Sequence, residues 1–131
     1  MDNKTKHLEF IQNIITRMAS NSFLLKGWCV TIIAALFALS IKESDFRLYL
    51  ATLIPTVMFW LLDSFYLWQE KMFRSLYDEV RLCDENNIDF SLDIRKYKKK
   101  REFINIVFKN ITTAGFYGVI VFLLVVICII A

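Results

Sequence analysis

The sequence contains few of the residues from which catalytic sites are usually built. It has three glycines, one proline and one histidine. Three glycines are too few for a phosphate-binding loop, and neither a GxSxG nor an HExxH pattern occurs. The histidine, His7, has no obvious base or metal ligand as a companion, so we expect its side chain to face solvent. These absences predict a protein that is not an enzyme and that holds no metal or cofactor.

Cysteine and charged residues are sparse as well. The three cysteines, Cys29, Cys83 and Cys128, are scattered and form no CxxC pair, so we interpret them as small apolar side chains without a redox or metal role. Charged residues make up only 22% of the chain, against 56% hydrophobic residues. This composition is too apolar for an ordinary soluble domain, and 131 residues leave room for one domain only.

The hydrophobic residues form three long runs, at 22–41, 48–68 and 111–131. At about 1.5 Å per residue, each run is long enough as a helix to cross a hydrocarbon layer of roughly 30 Å. A soluble helical bundle is disfavoured because too few amphipathic segments are present to cover such helices. A cleaved signal peptide is disfavoured because the region before the first run is too long and has a helical pattern of its own. The sequence therefore predicts an all-α membrane protein with three transmembrane helices, as a single domain over residues 1–131.

Two segments outside these runs also have helical patterns. In residues 1–21, Leu8, Ile11, Ile15 and Met18 form one apolar stripe, which predicts an amphipathic helix. Such a helix can lie on the membrane surface or pack against another helix, and its few basic residues favour packing. We expect the polar residues 20–22 to break or bend the chain before the first span. Residues 69–110 form a connector. We expect the second helix to continue to about residue 85, an extended stretch to follow, and a last helix to begin near residue 95.

The distribution of basic residues predicts the orientation in the membrane. The N-terminal segment and the connector contain most of the lysines and arginines, whereas the turn at 42–47 has two and none follows Lys109. By the positive-inside rule, the N-terminus and the connector are cytoplasmic, and the turn and the C-terminus face outward. We expect the protein in the inner membrane of a bacterium.

Each of the first two runs contains one charged residue, Lys26 and Asp63. With the turn centred near Ser44, these two residues lie almost equally far from it along the chain, one before it and one after it. Two antiparallel helices rise equally per residue, so the two charges reach nearly the same depth, and we predict that they pair. The pair can be a structural clasp. Alternatively, Thr52, Thr56 and Asp63 share a helix face that could line a water-filled path in an oligomer.

Small residues mark two candidate packing faces. In the first run Gly27, Thr31, Ala34, Ala35 and Ala38 lie on one side of the helix, and in the third run Ala114 and Gly118 are one helical turn apart. Small residues at such spacing allow helix backbones to approach closely in lipid. These faces predict tight helix packing, and the first run can pack against a neighbouring copy.

The connector contains a strongly basic stretch, because six of the seven residues from 95 to 101 are basic. The six are Arg95, Lys96, Lys98, Lys99, Lys100 and Arg101. They can simply keep the connector in the cytosol, or they can also contact anionic lipid headgroups. Nucleic-acid binding is less favoured, because the whole connector has ten basic and eight acidic residues, a net charge of only +2.

The Lys26-Gly27-Trp28 segment, the hairpin of two spans and the amphipathic helix that follows it resemble small bacterial membrane proteins encoded beside anti-phage defence genes. The layout of residues 1–86 is similar to that of the SLATT effector domains. This resemblance implies a homo-oligomer that permeabilises the membrane when a cytosolic sensor is triggered.

Two other functions compete with this expectation. The chain can instead be a non-conducting accessory subunit that anchors or regulates a cytosolic partner at the membrane. A proton-coupled transporter that uses Asp63 is weakened by the nearby lysine and by the lack of an internal repeat. The lipid bilayer and further copies of the chain are the expected partners.

Overall fold

The structure, a computed structural model, describes residues 2–43 and 46–130, except that it leaves out the side chains of residues 40–43, 46, 48 and 49. Within these ranges the regular structure is helical throughout, so the all-α class is confirmed. The α-helices are α1 (Asn3–Glu43), α2 (Phe46–Ala51), α3 (Leu53–Arg81), α4 (Lys100–Lys109) and α5 (Phe116–Ile130). The predicted turn at 42–47 lies partly outside the described residues, at Ser44 and Asp45.

Helix α1 is continuous over 41 residues, a length of about 60 Å. The predicted break at residues 20–22 is therefore wrong. Serine and asparagine inside a helix cost less than about 1 kcal/mol each, which favourable contacts easily offset. Ser22 makes such a contact, because its hydroxyl donates a hydrogen bond to the carboxylate of Asp63.

The second hydrophobic run is divided between two helices. Helix α2 ends at Ala51 and α3 begins at Leu53, shortly before Pro55. Proline has no backbone N–H, so the Ala51 carbonyl lacks the partner that a continuous helix would supply. Helix α3 then continues beyond the apolar run to Arg81, as the connector pattern predicts.

Two described helical segments are long and apolar enough to cross a membrane, Asn3–Leu39 and Ile111–Ile130. The second run does not form such a segment, because its helix begins only at Leu53 and extends into the polar residues after Trp68.

Helices α1 and α3 are antiparallel and make the most extensive helix–helix contact among the described residues. At the N-terminal end of α1, an apolar core is formed by Ile11, Ile15, Phe73, Leu76 and Val80. We refer to these five residues as the terminal core. Further along α1, Cys29 and Ile33 pack with Tyr117 and Leu124 of α5. The predicted amphipathic stripe thus contributes Ile11 and Ile15 to a helix–helix contact.

The connector differs from its prediction at the start of α4. Residues 88–94 are irregular, but α4 begins at Lys100, and residues Arg95–Tyr97 form a separate 3-10 turn. The Asp93 carboxylate accepts hydrogen bonds from the backbone and side chain of Arg95, which favours a local turn over a helix.

A π-helical turn, Ile111–Gly115, joins α4 to α5 after an extended residue, Asn110. The side chain of Asn110 accepts a hydrogen bond from the Thr112 N–H at 2.9 Å. Helices α4 and α5 are therefore two separate helices.

Candidate functional site

Lys26 of α1 and Asp63 of α3 lie together at the centre of the helix pair. The Lys26 Nζ is 2.5 Å from the Asp63 Oδ2. The Asp63 side chain is completely buried, whereas the Lys26 side chain is 19% exposed. The antiparallel packing of α1 and α3 brings the two residues to the same depth.

Two further side chains complete the hydrogen bonding of the Asp63 carboxylate. Ser22, one turn before Lys26, donates to Oδ1, and its own oxygen accepts a hydrogen bond from Lys26 at 3.0 Å. The Tyr117 hydroxyl of α5 donates to Oδ2 at 3.0 Å. We call Ser22, Lys26, Asp63 and Tyr117 the charge cluster. One carboxylate thus holds groups from α1 and α5 against α3.

Aromatic rings position Tyr117 in this cluster. The Tyr117 ring is stacked on Trp60, with centroids 6.2 Å apart and an interplanar angle of 10°. The Trp60 indole N–H donates to the Val107 carbonyl at 2.9 Å, which links the same ring to α4. The Lys26 Nζ lies 5.9 Å from the Phe116 ring centroid, within the range of a cation–π interaction.

The chemistry of the charge cluster is that of a structural clasp. Both Asp63 oxygens accept hydrogen bonds and Oδ2 also pairs with Lys26, so this one carboxylate joins three helices. Among the described residues, no group of three or more His, Cys, Asp or Glu side chains is arranged to hold a metal ion. A charge at a membrane helix centre costs about 2.5–3.5 kcal/mol, and pairing removes most of this cost.

The predicted Thr52, Thr56 and Asp63 face lies inside the single chain. All three side chains are completely buried. The Thr56 hydroxyl donates to the Thr52 carbonyl of its own helix at 2.7 Å. We call these residues the polar stripe. Because the polar stripe points inward, it does not form a surface that several copies could share around an axis.

The predicted small-residue face of α1 has the opposite placement. Gly27, Thr31, Ala34, Ala35 and Ala38 are all exposed. A Cβ atom added at Gly27 would meet no atom within 4 Å. The Thr31 hydroxyl donates to the Gly27 carbonyl at 2.9 Å. No other helix in the described chain covers these five residues, which we call the small-residue face.

The second small pair, Ala114 and Gly118, is half-buried. A Cβ atom at Gly118 would also meet nothing within 4 Å. Gly118 is therefore not at a close helix crossing within the described chain.

The six basic residues from 95 to 101 differ in whether they have a partner. Arg95 pairs with Asp93 at 2.8 Å, and Lys96 pairs with Glu79 at 2.6 Å. The hydrogen bonds from Arg95 lower the pKa of Asp93 to about 2. Lys98 lies 5.9 Å from the Trp68 ring centroid. The remaining members, Lys99, Lys100 and Arg101, are exposed and have no acidic partner among the described residues.

The expectation that His7 faces solvent is wrong, since its side chain is only 1% exposed. Its Nε2 is 2.8 Å from the Ser91 carbonyl oxygen, and its ring lies 5.6 Å from the ring of Phe90. Phe90 has a φ of +55°, an uncommon backbone conformation for a bulky residue. The sequence did not reveal this contact, because its partner lies 84 residues away in an irregular segment.

A cleft of about 400 Å³ opens beside His7, between α1, α3 and the connector. Its lining includes Glu79, Cys83, Asp89 and Lys96. The His7 Nδ1 is buried and has no hydrogen-bond partner among the described residues. We call this space the connector cleft.

Comparison with protein-family models, with curated proteins and with solved structures finds no match to this chain. Its function is therefore inferred from its own residues and their geometry.

Proposed function

We propose that this chain is a bacterial inner-membrane protein that spans the membrane three times, with its N-terminus and connector in the cytoplasm and its C-terminus outside. The outward surfaces of the second and third runs support this arrangement. On α3 the exposed side chains are bulky and apolar: Ile54, Val57, Met58, Leu61, Leu62 and Phe65. On α5 they are Val119, Phe122, Leu123, Val125, Ile129 and Ile130. Apolar surfaces of this extent favour contact with lipid.

We further propose that several copies associate in the membrane and permeabilise it, as the similarity to SLATT effector domains implies. The exposed small-residue face is the observation that carries this proposal. Among the outward membrane surfaces of the described residues it is the one made of small side chains, and such faces favour close helix association in lipid. The bulky faces of α3 and α5 suit acyl chains instead.

In this proposal the conducting path runs between copies. The polar stripe is buried, and its Asp63 is paired with Lys26. A path through a single chain would therefore require the charge cluster to open. A path along the small-residue face requires no such opening. Thr31, which is exposed on this face, supplies a polar group for it.

The test is release of a trapped dye from liposomes that contain the purified protein, together with measurement of oligomer size. Ala35→Leu places a bulky side chain on the small-residue face and should reduce both oligomer formation and leakage. We expect about a tenfold effect or more, since a loss of ~1.4 kcal/mol is already a factor of ten. Val57→Leu, on an exposed lipid-facing position of α3, is the matched control and should leave both unchanged.

The accessory-subunit function is the second candidate, and the connector cleft favours it. This cleft lies in the proposed cytoplasmic part and is lined by the exposed charged side chains of Glu79, Asp89 and Lys96, which suit contact with another molecule. If wild-type protein forms no oligomer and releases no dye, the accessory function should replace the membrane effector.

A further inference from the structure

Helix α4 has an apolar face that its own chain leaves uncovered. Ile104 and Phe108 are four residues apart and share one side of the helix, and Ile111 follows in the π-helical turn. Their exposed fractions are 54%, 67% and 85%. On the opposite side, Ile106 is buried against Trp68 and Met72 of α3. The helix is thus apolar on both sides but packed on only one.

In the proposed spanning arrangement, this face of α4 lies at the membrane boundary. The helix contacts α3 near Trp68, where the second hydrophobic run ends. Its chain then enters the third run directly through the π-helical turn. Two indoles lie beside it, since Trp68 packs on Phe103 and Trp60 donates to the Val107 carbonyl. Tryptophan is enriched at the level of lipid headgroups.

The charges around α4 complement an anionic surface. Lys99, Lys100 and Arg101 are exposed at its N-terminal end, and Lys109 is exposed at its other end. None of the four has an acidic partner among the described residues. Lys96, in contrast, is already paired with Glu79. Unpaired basic side chains next to an apolar stripe are typical of a helix that lies in the membrane interface.

We propose that α4 lies on the cytoplasmic leaflet, with its Ile104 and Phe108 and the following Ile111 among the acyl chains, and with Lys99, Lys100 and Arg101 against the phosphates of anionic lipids. This inference rests on the proposed spanning arrangement. It assigns lipid contact to only part of the basic stretch and adds an apolar stripe outside it. A lipid occupant is favoured over a protein because the face is continuous with a segment apolar enough to span the bilayer.

The experiment uses the full chain, with its three cysteines replaced by alanine, in nanodiscs of phosphatidylcholine with or without phosphatidylglycerol. A spin label at Ile104→Cys or Phe108→Cys should be reached by oxygen more than by a water-soluble nickel chelate. A label at Ser75→Cys, exposed on the far part of α3, should show the reverse. If nickel dominates at residues 104 and 108, or if both reagents are excluded because protein covers the face, the inference is overturned.

A label at Phe122→Cys separates this inference from the proposal on which it rests. If residue 122 is in lipid while 104 and 108 are in water, only the interfacial helix is wrong. If residue 122 is also in water, the spanning arrangement itself fails.

Charge variants test the headgroup contact. In the anionic bilayer, the residue-104 label lies among the acyl chains in some molecules and in water in others. Lys99→Gln should lower the ratio of these two populations about fivefold, equivalent to ~1 kcal/mol for one basic residue at an anionic surface. In phosphatidylcholine alone it should have no effect. Lys96→Gln is the matched control from the same basic stretch and should leave this ratio unchanged in both bilayers. A silent Lys99→Gln in the anionic bilayer would exclude the phosphate contact.

Discussion

The α1–α3 pair is held together by opposite means near the N-terminus of α1 and at its centre. The terminal core, around Ile11, is an apolar contact between two amphipathic faces. The charge cluster, around Asp63, is a polar contact between two otherwise apolar helices. In water, burial of apolar surface drives helices together, whereas in lipid the tails are as apolar as the side chains and this drive is lost. The same two helices thus change their means of cohesion along their length, as the proposed passage from cytoplasm to membrane requires.

The outward surfaces change in the same direction. Beside the terminal core, α3 exposes Lys71, Arg74 and Asp78. Beside the charge cluster it exposes Leu61, Leu62 and Phe65. The polar side chains are therefore outside where the core is apolar, and inside where the surface is apolar. This inversion is expected of a chain that lies partly in water and partly in lipid.

The largest effect is expected at the charge cluster. Asp63→Ala leaves Lys26 as an unpaired charge and removes the acceptor for Ser22 and Tyr117. Breaking one partner of a buried pair costs about 3–5 kcal/mol. The free energy of unfolding in mixed micelles should fall by this amount, and Lys26→Ala should have a comparable effect.

The exchange Lys26→Asp with Asp63→Lys should recover part of that loss. Tyr117→Phe removes only one hydrogen bond to a charged group and should cost about 1.5–3 kcal/mol. A harmless Asp63→Ala, or an exchange no better than either single variant, would show that the pair does not hold the helices together.

A smaller effect is expected at the terminal core. Ile11→Ala removes a completely buried side chain and should destabilise the chain by about 2–3 kcal/mol, the lower part of the usual range, because two helices can partly close the cavity. Limited proteolysis of the connector should accelerate, while the Lys26–Asp63 contact should persist. Gln12→Ala, at the exposed neighbouring position, is the control. If Ile11→Ala disrupted the Lys26–Asp63 contact as strongly as the terminal core, two separate means of cohesion would be excluded.

The smallest effect is expected at the exposed Asp93–Arg95 pair. Arg95 lowers the pKa of Asp93 from 3.8 to about 2, so folding is favoured when the carboxylate is charged. This contribution is fully present above about pH 3.8 and is lost as the pH falls through about 2. In Arg95→Gln the Asp93 pKa, followed by NMR, should rise toward 3.8. A pKa unchanged by this substitution would exclude the Arg95 side chain as the cause.

The sequence was informative where one rule set the geometry. Equal rise per residue was enough to place Lys26 opposite Asp63, and helical periodicity identified Ile11 and Ile15 as a packing face. Ser22 was interpreted as a helix breaker because its partner, Asp63, lies 41 residues away on another helix. Tyr117 was missed because its register depends on the irregular residues between α3 and α4, which follow no periodic pattern.

The direction of a polar face was also beyond the sequence. Thr52, Thr56 and Asp63 share one side of the second run, as their spacing indicates, but spacing does not say whether that side points to the inside or the outside. The placement of α1 and α5 decides this. The same is true of the small-residue face, which the structure leaves exposed.

The uninterrupted α1 has a mechanical consequence. Its residues 3–43 form one stiff rod, with His7 near one end and both Lys26 and the small-residue face further along. A helix without a hinge rotates as one body. If contact with the connector turns the N-terminal end of α1 about the helix axis, Lys26 and Ala35 therefore turn by nearly the same angle. Because a helix rises by about 1.5 Å per residue, a binding event in the connector cleft can thus turn residues roughly 30 Å away, in the part of α1 for which we propose a place in the bilayer.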